Sequence, residues 1–205
     1  MNSRKMIRAA RVMSEIFNPF YLPVVAMIAL FTFSYLCLLP LLYKLTVVAI
    51  VYILTAVVPT VLIRMYEKHE KWTAVELYDR QKRVIPYVIS IACYVACYYL
   101  MGLLRIPHFM GSLVVAALVI QIVCAVVNIG WKISTHTAAI GGMAGAVAAF
   151  GGIFGFNPVW WLCGIILLGG LVGTSRMLLR QHSLGQVAGG FAVGAVAAFV
   201  TVIAI

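Results

Sequence analysis

Acidic side chains are scarce in this chain of 205 residues, and all of them lie before residue 80. The five are Glu15, Glu67, Glu70, Glu76 and Asp79. Hard divalent cations prefer oxygen ligands, so the later part of the chain is poorly equipped to hold a pair of metal ions. The absence of carboxylates beyond Asp79 therefore disfavours a two-metal enzyme, and we expect neither a metal nor another cofactor.

Charged residues of either sign are also few, at 10% of the chain, whereas 64% of residues are hydrophobic and the mean hydropathy is +1.08. This composition excludes a soluble domain, because the apolar residues outnumber the positions that any interior offers. Seven apolar segments are about long enough to cross a bilayer, where backbone amides find partners only within helices. The segments are 21–38, 45–63, 84–104, 109–129, 138–156, 159–175 and 187–205. We predict an all-α, polytopic membrane bundle of six to seven transmembrane helices.

No linker or low-complexity run divides the chain, so we expect residues 1–205 to form a single domain. Within 1–19, Arg4, Arg8, Arg11 and Glu15 recur at helical spacing between apolar residues. This pattern predicts an amphipathic helix on the membrane surface. The alternative is a disordered basic tail that only sets the topology.

Cysteine offers no metal or redox motif in this sequence. All five cysteines lie within apolar spans, and Cys93 and Cys97 are one helical turn apart, not in a Cys-x-x-Cys pattern. We interpret them as small hydrophobic residues.

Glycines spaced four residues apart are frequent in the last three spans. The pairs are Gly141/Gly145, Gly151/Gly155, Gly169/Gly173, Gly185/Gly189 and Gly190/Gly194. Small residues at this spacing let helix backbones approach closely in a membrane. They predict a tight C-terminal bundle, with a pore or a dimer interface as the alternative.

Basic residues are distributed unequally between the two sides of the seven predicted spans. The side that holds the N-terminus carries 13 of the 15 lysines and arginines, and the other side has only Lys44 and Arg105. Six of these cations lie in or beside the polar patches that could bind phosphate: Arg80, Lys82, Arg83, Lys132, Arg176 and Arg180. If they are left out, seven basic residues remain on the first side against two on the other. The positive-inside rule makes the crowded side cytoplasmic.

Polar residues in the second half of the chain form two short patches. The first holds Lys132, Ser134, Thr135 and His136, and the second holds Ser175, Arg176, Arg180, His182 and Gln186. Both lie on the predicted cytoplasmic side, as does the basic segment 79–86. Cations, small hydroxyls and histidines in apolar surroundings are suited to a ligand that brings its own negative charge, such as a phosphate.

The order of these patches resembles the type 2 phosphatidic acid phosphatase (PAP2) superfamily of membrane lipid phosphatases. Its third motif, Ser-Arg followed after five residues by His, is matched by Ser175, Arg176 and His182. The second motif, Pro-Ser-Gly-His, is matched at Ser134 and His136, with Ile and Thr replacing Pro and Gly. Together the motifs frame a core of roughly residues 76–190.

The chain departs from the family pattern in two places. In the first motif, Lys-x6-Arg-Pro, Glu76 stands where the lysine would be, and Arg83 is not followed directly by proline. We expect Arg80 and Arg83, helped by Lys132, to fill these roles. Gln186 replaces the terminal aspartate of the third motif. An amide oxygen can still orient a histidine but adds no charge, and Gln186 is equally placed to complete a capping box with Ser183.

The resemblance implies a role for each site residue. His182 would attack phosphorus and form a phosphohistidine, and His136 would protonate the leaving oxygen and then activate water. Gln186 would orient His182. The expected phosphate-binding residues are Arg80, Arg83, Lys132, Ser134, Thr135, Ser175 and Arg176.

We therefore expect a metal-independent hydrolase of lipid phosphate monoesters or pyrophosphates, in a bacterial inner membrane and with a cytoplasmic site. Candidate substrates are phosphatidate, phosphatidylglycerophosphate, polyprenyl pyrophosphate and a lipid A phosphate. The partners are the lipid substrate and membrane lipids, with no nucleic acid. A lipid phosphotransferase and a non-catalytic lipid-phosphate binder or transporter remain as alternatives.

Overall fold

The computed structural model describes residues 3–33, 35–70 and 84–205. In these ranges short turns connect α-helices, and no strand occurs among the described residues. The α-helices are α1 Ser3–Ile16, α2 Leu22–Phe33, α3 Leu41–Tyr52, α4 Val58–His69, α5 Val84–Leu103, α6 His108–Gly130, α7 Thr135–Phe154, α8 Val159–Leu178 and α9 Leu184–Ala204. Two 3-10 helices, Pro19–Tyr21 and Tyr35–Leu38, flank α2.

Seven helical stretches of the described chain are long and apolar enough to cross a membrane. Two of them combine neighbouring helices: Lys5–Thr32 contains α1 and α2, and Leu41–His69 contains α3 and α4. A π-helical turn at Ile53–Val57 carries α3 into α4 just before Pro59, which lacks the amide hydrogen that a regular α-helix needs there. The predicted class is confirmed: this is a multi-pass, all-α membrane protein.

The first predicted span is shorter than expected. The helix α2 ends at Phe33, whereas the apolar run suggested helix as far as residue 38. Its 12 residues extend over only ~18 Å, less than the hydrocarbon core of a bilayer. The chain enters it through a corner, where the side chain of Asn18 accepts a hydrogen bond of 3.1 Å from the amide of Phe20. This corner directs the end of α1 toward the helices that carry the motifs.

The helices α7 and α9 make the most extensive contact between any two elements of the described chain. Glycine permits this approach, as its spacing predicts. A Cβ atom at Gly141 or Gly145 would overlap the backbone carbonyl of Phe191 or Ala195, and one at Gly194 would overlap that of Ala138. Gly155 instead ends α7, because it adopts the left-handed conformation with a φ of 67° that is common at helix C-termini.

Replacing Gly194 by alanine is expected to destabilise the bundle by about 1–3 kcal/mol, because the added methyl group forces α7 and α9 apart. The matched control is Gly170→Ala on α8, where an added Cβ meets nothing within 4 Å. Thermal unfolding of both variants in the same detergent measures the difference. Equal midpoints for the two variants would contradict the role assigned to Gly194.

Candidate active site

Two loops that carry the predicted motifs meet at one end of the bundle. Helix α7 begins directly after Ser134, which is fully buried and is the N-cap of that helix. The amide of Ser134 donates a hydrogen bond of 3.3 Å to the carbonyl oxygen of Gln186 in the first turn of α9. This main-chain bond joins the second motif to the third.

The end of α8 explains how the chain turns from Arg176 to His182. Helix α8 continues to Leu178, three residues beyond the predicted end of the span, so Arg176 lies in its last turn. Arg180 adopts a left-handed conformation with φ of 53°. Its amide donates to the carbonyl of Met177, and the amide of Gln181 donates to that of Arg176. These two bonds form a Schellman motif, which ends the helix and redirects the chain toward α9.

His182 is held by the side chain of Gln186, one helical turn later. The side-chain oxygen Oε1 of Gln186 lies 3.2 Å from Nδ1 of His182 and also 3.2 Å from the amide nitrogen of Ser183. Because the amide of Ser183 can only donate, the atom that it meets must be the oxygen of Gln186. Nδ1 of His182 therefore carries its hydrogen toward the same oxygen, and in the neutral ring Nε2 keeps the lone pair. The two contacts expected of Gln186, with the ring of His182 and with the amide of Ser183, occur together.

His136 and Arg176 share a contact with Ser14 of α1. Nε2 of His136 lies 3.1 Å from the carbonyl oxygen of Ser14 and 3.4 Å from its hydroxyl oxygen. Nη1 of Arg176 donates to the same hydroxyl oxygen at 2.5 Å. A carbonyl only accepts, so Nε2 of His136 carries the hydrogen. Nδ1 is then the nitrogen of His136 that can take up and release a second proton.

A cavity of about 240 Å³ adjoins these residues. Three predicted site residues, Thr135, His136 and Arg176, contribute to its wall. The other lining residues are Asn18, Pro19, Phe20, Pro86, Tyr87, Ser90 and Gln121. The corner between α1 and α2 thus contributes to the wall, as do the uncharged polar side chains of Tyr87, Ser90 and Gln121 from α5 and α6.

The remaining predicted site residues differ in what surrounds them. The hydroxyl of Ser175 donates to the carbonyl of Leu171 at 2.8 Å, and the hydroxyl of Ser134 faces the amide of Thr137 at 3.5 Å. Lys132 is half-buried in the loop before α7. Arg80 and Arg83, the candidates for the first motif, lie outside the described residues. The phosphate-binding roles of these five residues stay predictions, as do those of Thr135 and Arg176.

Ser14 is not among the predicted site residues, although it contacts two of them. It lies 122 positions before His136 and 162 positions before Arg176, in a helix predicted only to rest on the membrane surface. The sequence offers one signal for this contact, which is the spacing of two small residues. Ala10 and Ser14 lie one helical turn apart, and both are on the buried side of α1.

Comparison with protein families agrees with the motif analysis. The model of the PAP2 superfamily matches residues 126–205, a segment that contains both the Ser134–His136 and the Ser175–Gln186 patches. This match supports the predicted resemblance over residues 126–205, and the helical structure is consistent with a membrane PAP2 protein. A PAP2 match suggests a phosphatase-type activity. No curated protein and no solved structure matched the chain.

Replacing Gln186 by alanine is expected to cost about 1–2 kcal/mol of stability, because the ring of His182 and the amide of Ser183 both lose their acceptor. The matched variant Gln186→Glu keeps the length and the acceptor oxygen, and a carboxylate is favourable in the first turn of a helix. It should remain within about 0.5 kcal/mol of the wild type. Thermal unfolding compares the three proteins, and an unchanged midpoint for Gln186→Ala would contradict the double contact.

Proposed function

We propose that this protein is a membrane phosphatase that hydrolyses a lipid phosphate monoester or pyrophosphate through a phosphohistidine. One observation carries the proposal: His182 is held with Nδ1 toward Gln186, on a loop that is bonded directly to the His136 motif. That arrangement leaves Nε2 of His182 as the nucleophile and His136 as a second, separately oriented imidazole. The PAP2 match supports a phosphatase-type reaction.

The chemistry proceeds in two displacements. The lone pair of Nε2 on His182 forms a bond to phosphorus while the bond from phosphorus to the leaving oxygen breaks, and that oxygen takes a proton from His136. A water molecule then attacks phosphorus and gives a proton to Nδ1 of His136. The N–P bond breaks, its electron pair returns to His182, and phosphate leaves. Arg176 stabilises the charge on the equatorial oxygens in both steps.

The cavities beside the site support a lipid as the substrate. The cavity at His136 and Arg176 shares Pro19, Thr135 and Gln121 with a second cavity of about 50 Å³. The second shares Ala26, Met143 and Ala146 with a third of about 190 Å³, which extends to Phe154, Phe156 and Trp161 near the far end of α7. A largely apolar path therefore continues from the polar site along α2 and α7. A hydrocarbon chain attached to the phosphate would fit such a path.

Substrate choice depends on the side of the membrane that the site faces. A cytoplasmic site, as the distribution of basic residues predicts, favours the glycerophospholipids phosphatidate and phosphatidylglycerophosphate. A site on the other side favours polyprenyl pyrophosphate. Release of inorganic phosphate from a panel of these lipids and a lipid A phosphate, by the purified full chain, tests the proposal. A protein that binds these lipids and releases no phosphate would overturn it in favour of a non-catalytic binder.

Replacing His182 by alanine is expected to abolish turnover, by at least ~10³-fold, because no other residue supplies the nucleophile. The wild type should form a phosphoprotein that is stable in alkali and labile in acid, and the variant should not. His69→Ala is the matched control, since the His69 side chain is 87% exposed near the end of α4. Wild-type rates in the His182 variant would remove His182 from the mechanism.

Full activity is expected in the presence of excess chelator, because the segment that carries both motifs has no carboxylate for a hard cation. Phosphate release is measured before and after dialysis against EDTA. The control is a parallel sample to which Mg²⁺ or Zn²⁺ is added back. Loss of activity that either ion restores would contradict metal independence.

A further inference from the structure

We propose that Ser14 is a positioning residue for the reaction, and that it joins the phosphate-binding Arg176 to the acid–base His136. The inference rests on the proposed phosphatase function and extends it to α1, a helix outside the matched segment 126–205. Ser14 would act through these two side chains without touching the substrate. The N-terminal surface helix would thus be a structural part of the catalytic machinery.

The hydrogen bonds of Ser14 divide between the two partners. Its hydroxyl oxygen accepts from Nη1 of Arg176 at 2.5 Å, and its carbonyl oxygen accepts from Nε2 of His136 at 3.1 Å. One residue therefore fixes the guanidinium of α8 and the tautomer of the imidazole of α7. Ser14 itself is only 6% exposed, so water competes little for these contacts.

The lining of the cavity distinguishes Ser14 from the two side chains that it contacts. Arg176 and His136 both line the cavity of about 240 Å³, whereas Ser14 is not among its lining residues. Both side chains therefore reach the cavity that we assign to the phosphate, while Ser14 contacts each of them outside its lining.

Apolar side chains next to Ser14 in α1 hold this part of the helix against α7 and α8. Met13 and Phe17 pack against a buried cluster that includes Ile140 of α7 and Val172 of α8. Ala10, one turn earlier, is 4% exposed and faces the same way. The end of α1 is thus anchored on the two helices whose side chains Ser14 joins, as a positioning role requires.

The first experiment detects the hydrogen bond between His136 and Ser14 independently of any enzymatic activity. The full chain, labelled with [¹⁵N]histidine in a lipid nanodisc, should show His136 as the Nε2–H tautomer with a slowly exchanging ring proton. The His136 signal is assigned by its loss in His136→Asn. A predominant Nδ1–H tautomer, or a rapidly exchanging ring proton, would overturn the inference whether or not the protein is a phosphatase.

The second arm compares variants on the substrate that wild type hydrolyses best. Ser14→Ala should lower kcat/KM about 10-fold, mainly through kcat, because Arg176 loses a partner that orients it for the transition state. Ser14→Thr keeps the hydroxyl and should retain activity within about threefold. Glu15→Gln, at an exposed neighbouring position, should match the wild type.

The outcomes separate the two proposals. An unchanged or faster Ser14→Ala variant would overturn the positioning role, and faster turnover would identify Ser14 as an inhibitory contact. Wild type that hydrolyses no lipid phosphate would refute the proposed function, and the tautomer of His136 would still decide the contact. If Ser14→Ala does not fold, the spectrum of the wild type and the Ser14→Thr rate decide the question.

Discussion

The close approach of α7 and α9 is the constraint on which the candidate site depends. Lipid tails are as apolar as the helix surfaces, so the hydrophobic effect does not drive these helices together, and close van der Waals contact must do so. Glycines at positions 141, 145 and 194 remove the side chains that would separate the two backbones. The N-terminal ends of both helices then meet, and the amide of Ser134 reaches the carbonyl of Gln186. Bulkier residues at these glycines would separate the two motif loops as well as the helices.

Much of the fold followed from local patterns in the sequence. Apolar run length predicted the spans, and four-residue glycine spacing predicted the tight packing of the last helices. The helix start after Ser183 followed from its capping box with Gln186, because such a cap involves only the next few positions. The early end of α2 at Phe33 did not follow, since the apolar run continues past that residue without a local stop signal.

The candidate site was predicted less completely than the fold. Motif spacing predicted His136, Arg176 and His182. The structure joins the first two through Ser14 and places His182 on a loop that is bonded to the second motif. The contacts of Ser14 could not be predicted, because its partners are more than a hundred residues away and no periodic pattern encodes such a contact. The contact forms because the corner at Asn18 and Pro19 turns α1 onto the ends of α7 and α8.

The neutral side chain at position 186 gives the proposed reaction an unusual electrostatic balance. An aspartate there would support the positive charge that develops on His182 as the N–P bond forms, but it would also place a negative charge near the incoming phosphate. The neutral Gln186 provides neither the support for positive charge nor the repulsion of phosphate, and it still orients the ring of His182 through its side-chain oxygen. In the proposed reaction, less negative charge would then oppose the binding of a dianionic phosphate to Arg176, and phosphoryl transfer to His182 would receive less support. Since only interactions that strengthen in the transition state accelerate the chemical step, Gln186 would favour binding of the phosphate over speed of turnover.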